Sequence, residues 1–411
     1  MIDVRDELEK HSLLMLLATL AGHVGNYLYH TLSGRFLSVA DYGLLTATLG
    51  LIQISTLPLQ AFSLTVAAQV ARNPHAASPL LRSWTALIFR FAPVLLFICL
   101  LTAAGTGHSL SITAFLVMLL IAGALLNLQG ALLQGLQRFQ WMAIRAACLF
   151  PGRAALLMIL LLFGVRNSSG ALAAHGLAVL ITLWVSHKGL HPLPAPASAP
   201  PPPVLRDSLR SFPALAGFAV LMSADVVLAR LLWDPETAGR FAQAAIPARM
   251  ILWLPLPIAS ALFPKIAVPH GQRAYVFRKA TAYTLLLLFG AWAGCQLFPA
   301  LPLRILYGAP DAPGHPVDWL RGMATAMAPL GLAHLLLQAE LARGRCRHLL
   351  PLPLLAAAYL LGAWRFADGP DTLIPLLTAV SWTAAAGLSI GVCFPRPPEC
   401  PPPKPLRRVA A

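Results

Sequence analysis

Twelve apolar windows of about twenty residues run through this chain, each long enough to cross the roughly 30 Å hydrocarbon core of a bilayer as a helix. They fall near 12–32, 44–70, 84–104, 111–134, 146–165, 170–187, 209–229, 240–263, 281–302, 318–342, 348–366 and 372–394. Lipid offers no partner for backbone N–H and C=O groups, so segments of this length satisfy them internally as helices. Composition agrees: 58% of residues are apolar and 11% charged, against about 25% charged in a soluble domain. The expected class is an all-α polytopic membrane protein with about twelve transmembrane helices. An even number places both termini on one side. Asp3, Asp6, Glu7 and Glu9 lie where a secretory signal would be basic, so the first apolar run is expected to be retained.

Basic residues collect on the cytoplasmic side of a membrane. With the N-terminus inside, the cytoplasmic segments hold 20 of the 30 Lys and Arg residues, among them Arg72, Arg82, Arg138, Arg145, Arg343 and Arg347. The opposite loops hold 6: Arg35, Arg166, Arg230, Arg240, Arg304 and Arg365. Both termini are therefore expected in the cytoplasm. The net charge of +15 reads as topology signal and lipid headgroup contact, not as a nucleic-acid surface.

Two stretches repeat one pattern about 195 residues apart. Arg35, Phe36 and Leu37 lead to Asp41, Tyr42 and Gly43; Arg230, Leu231 and Leu232 lead to Glu236, Thr237, Ala238 and Gly239, with one extra residue. Each copy joins two apolar windows, and each following window holds a proline at similar depth, Pro58 and Pro255 with Pro257. Paired helical repeats are a common construction of secondary transporters. Between windows six and seven, His191 to Val204 reads HPLPAPASAPPPPV, a sequence for an extended linker. The expected organisation is a six-helix bundle over 1–190, a cytoplasmic linker over 191–206, a second bundle over 207–394 and a disordered basic tail over 395–411.

No outward loop exceeds about 15 residues, which leaves little room for the extracytoplasmic loop of a membrane glycosyltransferase or polymerase. Phosphate-cradling loops, zinc-ligand spacings and nucleophile elbows are missing from the sequence, so no enzyme, cofactor or metal is expected. The six cysteines read as small packing residues.

Polar groups inside the windows are costly and need a partner or an aqueous cavity. Asp225 in window seven reads as an ion-coupling switch, as counter-charge to a cavity arginine, or as a structural pair with Arg230 or a neighbouring helix. Arg90, Arg153, Arg249 and Arg321 lie in or at the ends of spans, and a guanidinium fork suits bidentate phosphate binding. Arg249 is the best cavity candidate because it sits inside its span; Arg90 and Arg153 lie nearer the cytoplasmic ends, where snorkelling to headgroups is favoured over a cavity role. His23, Asn26 and His30 share one face of the first helix, facing either substrate or other helices. Asn127, Gln129, His334, Gln338 and Glu340 read as helix–helix hydrogen-bond formers.

Ser33 to Arg72 resembles the first block of bacterial polysaccharide flippases in the multidrug/oligosaccharidyl-lipid/polysaccharide exporter superfamily, and Ala224 to Ala267 is similar to their second-half block. The residues that carry the likeness include Asp225 before Leu228 and Arg230, the Ala238-Gly239 pair, and Leu262 to Lys265; Leu303 to Gly308 and Ala342 to Arg345 add later elements. The resemblance implies two six-helix bundles around a V-shaped cavity in the bacterial cytoplasmic (inner) membrane. It further implies alternating-access transport of an undecaprenyl-diphosphate-linked oligosaccharide for cell-surface polysaccharide synthesis, with membrane lipids and polysaccharide assembly proteins as further partners. In that frame Arg249, Arg153, Arg90, His23, Asn26 and His30 are the candidate substrate-binding residues and Asp225 the ion-coupling residue. The alternatives are a multidrug/cation antiporter of the same superfamily, which would need acidic cavity residues in both halves, and a membrane glycosyltransferase or polymerase.

Overall fold

A computed structural model describes residues 4–106, 110–195, 204–255, 273–308, 316–342 and 346–393. The helices are α1 (Val4–Phe36), α2 (Val39–Thr56), α3 (Gln60–Arg72), α4 (Ala77–Thr106), α5 (Leu110–Gly135), α6 (Phe139–Leu162) and α7 (Ser168–Leu190). They continue with α8 (Val204–Leu232), α9 (Pro235–Trp253), α10 (Arg273–Leu297), α11 (Ala300–Tyr307), α12 (Pro316–Ala342), α13 (Pro351–Phe366) and α14 (Pro370–Cys393). No strand occurs among the described residues.

Every apolar window contains helix, and among the described residues eight helical segments are long and apolar enough to span a membrane. Large apolar side chains such as Leu286, Leu354, Leu361 and Trp364 stand exposed, as lipid-facing residues should. The second window is broken by a 3-10 turn at Leu57–Leu59, because Pro58 lacks the N–H that a continuous helix requires. The ninth is broken too: α10 ends at Leu297, and α11 restarts after Pro299. Pro257, Leu262 to Lys265, Arg343, Arg345, most of the proline-rich linker and the basic tail lie outside the described residues.

The chain divides into two compact units, Met1–Phe212 and Pro213–Ala411. In the first, α6 packs between α1 and α7, and α5 packs against α3, α4 and α7. Tyr29, Leu157 and Ala171 are fully buried in one core cluster, and Val70, Ala77, Leu132 and Leu190 in another. In the second, α12 is central and packs against α9, α10 and α14, while α13 packs on α14.

The repeated pattern is a pair of helix caps. Ser38 caps α2 with φ −63° and ψ 156°, its hydroxyl accepting the Asp41 N–H; Asp234 caps α9 with φ −62° and ψ 155°, accepting from the N–H groups of Glu236 and Thr237. Such caps satisfy donors that a helix start leaves open. Counted from the cap, Gly43 and Gly239 fall at the same position, so the extra residue of the second copy lies before the cap. Hydrogen bonds from Thr237, above all, hold the exposed Asp234 carboxyl below the usual carboxylate range. In the first unit Asp41 also accepts from the Ser168 N–H (3.1 Å) and hydroxyl (2.7 Å), which ties the start of α2 to the start of α7.

A second internal repeat concerns close helix contact. A methyl on Gly25 of α1 would lie 2.4 Å from the Pro151 nitrogen of α6, and one on Gly217 of α8 would lie 2.5 Å from the Pro353 nitrogen of α13. In each unit a glycine thus meets a proline at a backbone-to-backbone crossing that any Cβ would force apart.

Candidate functional site

The Gly25–Pro151 crossing places the next polar residues of both helices in contact. Arg153, two residues beyond Pro151, hydrogen-bonds the Asn26 side-chain oxygen, and its other terminal nitrogen lies 3.3 Å from Nδ1 of His175 on α7. Its guanidinium stacks over the rings of Tyr29 (4.5 Å) and Phe150 (5.4 Å). Arg153 is only 5% exposed, so it does not snorkel to a headgroup; the expectation from its position near a helix end is corrected by the approach of α1. Among the described residues no carboxylate pairs with it, and its Nε has no hydrogen bond. The first unit therefore holds a buried cation among neutral partners. His175 can accept from the guanidinium only through an unprotonated Nδ1.

The remaining predicted residues scatter around this cluster. His23 is half-buried on the same face of α1, with an Nε2 that has no hydrogen bond. His30 is buried further along, 3.4 Å from the Tyr42 hydroxyl of the repeated motif. Arg90 stands exposed on α4 and does not join the cluster. Arg321 is likewise exposed, 3.3 Å from Asp318.

In the second unit Asp225 of α8 and Arg249 of α9 form a buried ion pair, so the carboxylate's partner is the neighbouring helix and not Arg230. Asp225 is 0% exposed and Arg249 7%. The pair is only partly satisfied, since Asp225 Oδ2 and Arg249 Nε have no hydrogen bond. Tyr359 is fully buried on α13, the helix that meets α8 at the Gly217–Pro353 crossing. Glu340 on α12 is also fully buried, and His334 on the same helix packs between the Phe218 and Trp253 rings, 3.3 Å from the Gln338 amide.

Elsewhere in the first unit a cavity of about 470 Å³ opens at the break in the second window, lined by Leu59, Phe62, Trp84, Ile88, Leu120 and Ala124 among others. Polar side chains on its wall donate to backbone: Ser55, Thr56, Ser63 and Asn127 bond the carbonyls of Leu51, Ile52, Leu59 and Gly123. Its wall is mostly apolar, in contrast to the two arginine clusters.

No protein-family model matches the chain, and no curated protein matches it. Solved structures do. The lipid II flippase MurJ in an inward closed conformation superposes with a TM-score of 0.74 at 12% identity, covering 93% of this chain and 88% of that one. An inward-facing multidrug resistance MATE family transporter of the MOP superfamily gives 0.67 at 14%, over 90% and 94%. A MOP superfamily transporter from Pyrococcus furiosus, described as having a binding pocket of reverse polarity, gives 0.68 at 14%, over 93% and 95%. The chain has the fold of the MOP superfamily transporters.

Of the residues singled out in the sequence, the structure brings Arg153 together with Asn26 and Asp225 with Arg249, and it adds Tyr29 and His175 to the first cluster, with Tyr359 buried on α13. His175 gave a usable signal as the one imidazole in the middle of window six. Tyr359 gave less, because a tyrosine in a span reads equally well as a packing residue.

Proposed function

We propose that the chain moves an undecaprenyl-diphosphate-linked oligosaccharide across the bacterial cytoplasmic membrane by alternating access, with both termini cytoplasmic, for cell-surface polysaccharide synthesis. One observation carries this reading: Arg153 is buried with no carboxylate partner among the described residues. An ion held in a protein interior carries an effective desolvation penalty of several kcal/mol. A diphosphate head group entering beside Arg153 supplies the missing counter-charge, in the fork geometry that a guanidinium prefers. Arg249 offers a second cation once Asp225 releases it, and His23, Asn26 and His30 line the path for the sugar. Asp225, alternating between paired and unpaired states, is the candidate coupling group. The structural likeness to a lipid II flippase adds support.

The second reading, a multidrug/cation antiporter, draws on the MATE neighbours and on the buried acids Asp225 and Glu340. A cationic drug, however, would meet Arg153 with like charge. Purified protein in proteoliposomes separates the two. Fluorescent lipid-diphosphate oligosaccharide should become accessible to a membrane-impermeant quencher at a rate set by protein content, while an organic-cation dye should not be exported under a proton or sodium gradient. Dye export without lipid translocation would replace the flippase reading by the antiporter.

A further inference from the structure

Among the polar side-chain atoms of the second unit that are buried without a hydrogen bond are Asp225 Oδ2, Arg249 Nε and the Tyr359 hydroxyl. They come from three different helices, α8, α9 and α13, which the Asp225–Arg249 ion pair and the Gly217–Pro353 crossing hold against one another, and both charges act on Tyr359. A buried hydroxyl that makes no bond is a net cost, and a phenylalanine would fill the same space without it. The hydroxyl therefore calls for a state of the protein in which its bond is made. Asp225 Oδ2 is the complementary group, an acceptor with a vacant lone pair, while Arg249 has only donors to offer.

We infer that Tyr359 is the alternate hydrogen-bond donor to Asp225, engaged when an anionic head group draws Arg249 out of the ion pair. This rests on the reading of Arg249 as a head-group arginine. The carboxylate then exchanges a guanidinium donor for a phenolic one and is never left bare; no proton changes owner in the exchange. Tyr359 acts as a positioning residue. It lowers the cost of releasing Arg249 and contacts no substrate.

The test is binding of undecaprenyl diphosphate to the full chain in lipid nanodiscs, together with melting of the ligand-free protein. Tyr359→Phe is expected to raise Kd about tenfold and to leave the ligand-free melting point unchanged or slightly higher, because the hydroxyl makes no bond at rest. In an Asp225→Asn background, where no carboxylate needs holding, the same change should cost less than twofold. Wild-type affinity in Tyr359→Phe overturns the inference, as does a loss of ligand-free stability that accounts for the weaker binding. Arg249→Gln separates the two layers. Unchanged Kd in that variant removes the head-group reading itself, whereas a raised Kd there with wild-type affinity in Tyr359→Phe removes only the role of Tyr359.

Discussion

Asp225→Ala should lower stability by about 3–5 kcal/mol, measured as loss of folded protein in a denaturant titration, because it strands the buried Arg249 guanidinium without its counter-charge. The size of the effect comes less from the attraction lost than from the uncompensated ion left behind. The account therefore makes a second demand. Replacing both partners, Asp225→Leu with Arg249→Met, should restore most of that stability, since a buried pair exchanged for apolar residues of similar size is often neutral or better. The double variant should nevertheless fail to translocate lipid. A double variant that folds and transports at the wild-type rate would reduce the pair to a structural fastening.

Arg153→Met is expected to behave in the opposite way, with a small effect on folding and a large one on transport. The substitution removes a buried cation that has no carboxylate partner among the described residues, which favours the folded state. It also leaves Asn26 and His175 without their shared donor, at about 1–3 kcal/mol for each unsatisfied group. The two terms oppose one another, so stability should stay within about 2 kcal/mol of wild type. Translocation of the lipid-diphosphate sugar in proteoliposomes should fall at least tenfold. Arg153→Lys should not rescue it, because an ammonium can reproduce neither the planar fork nor the stack on Tyr29. Wild-type transport in Arg153→Met would show that the cluster only fastens α1 to α6 and α7.

Much of the fold was legible because a bilayer allows few solutions: windows of sufficient length had to be helices, and Pro58 marked a real break. The interruption at Phe298 and Pro299 was hidden inside a continuous apolar window, where hydropathy does not register a missing N–H. Of the site, the sequence revealed which groups were costly but not how they were partnered. Asp225 and Arg230 are five residues apart and so project from different faces of α8, whereas only residues three or four apart are neighbours. The actual partner, Arg249, is brought in by the packing of the next helix. Arg153 was misplaced for a similar reason. Its depth along α6 pointed to the headgroups, but the Gly25–Pro151 crossing covers it with α1, and a contact between two backbones leaves no periodic trace in the sequence.

The central claim is that buried arginines await an anionic head group, and it is tested most directly by varying the charge of that group alone. Translocation would be measured in proteoliposomes for one oligosaccharide carried on the same polyprenyl chain through a diphosphate, a monophosphate or an uncharged ether linkage. The account predicts the fastest movement for the diphosphate, slower movement for the monophosphate, and none above protein-free vesicles for the ether. Equal rates for all three linkages would contradict it.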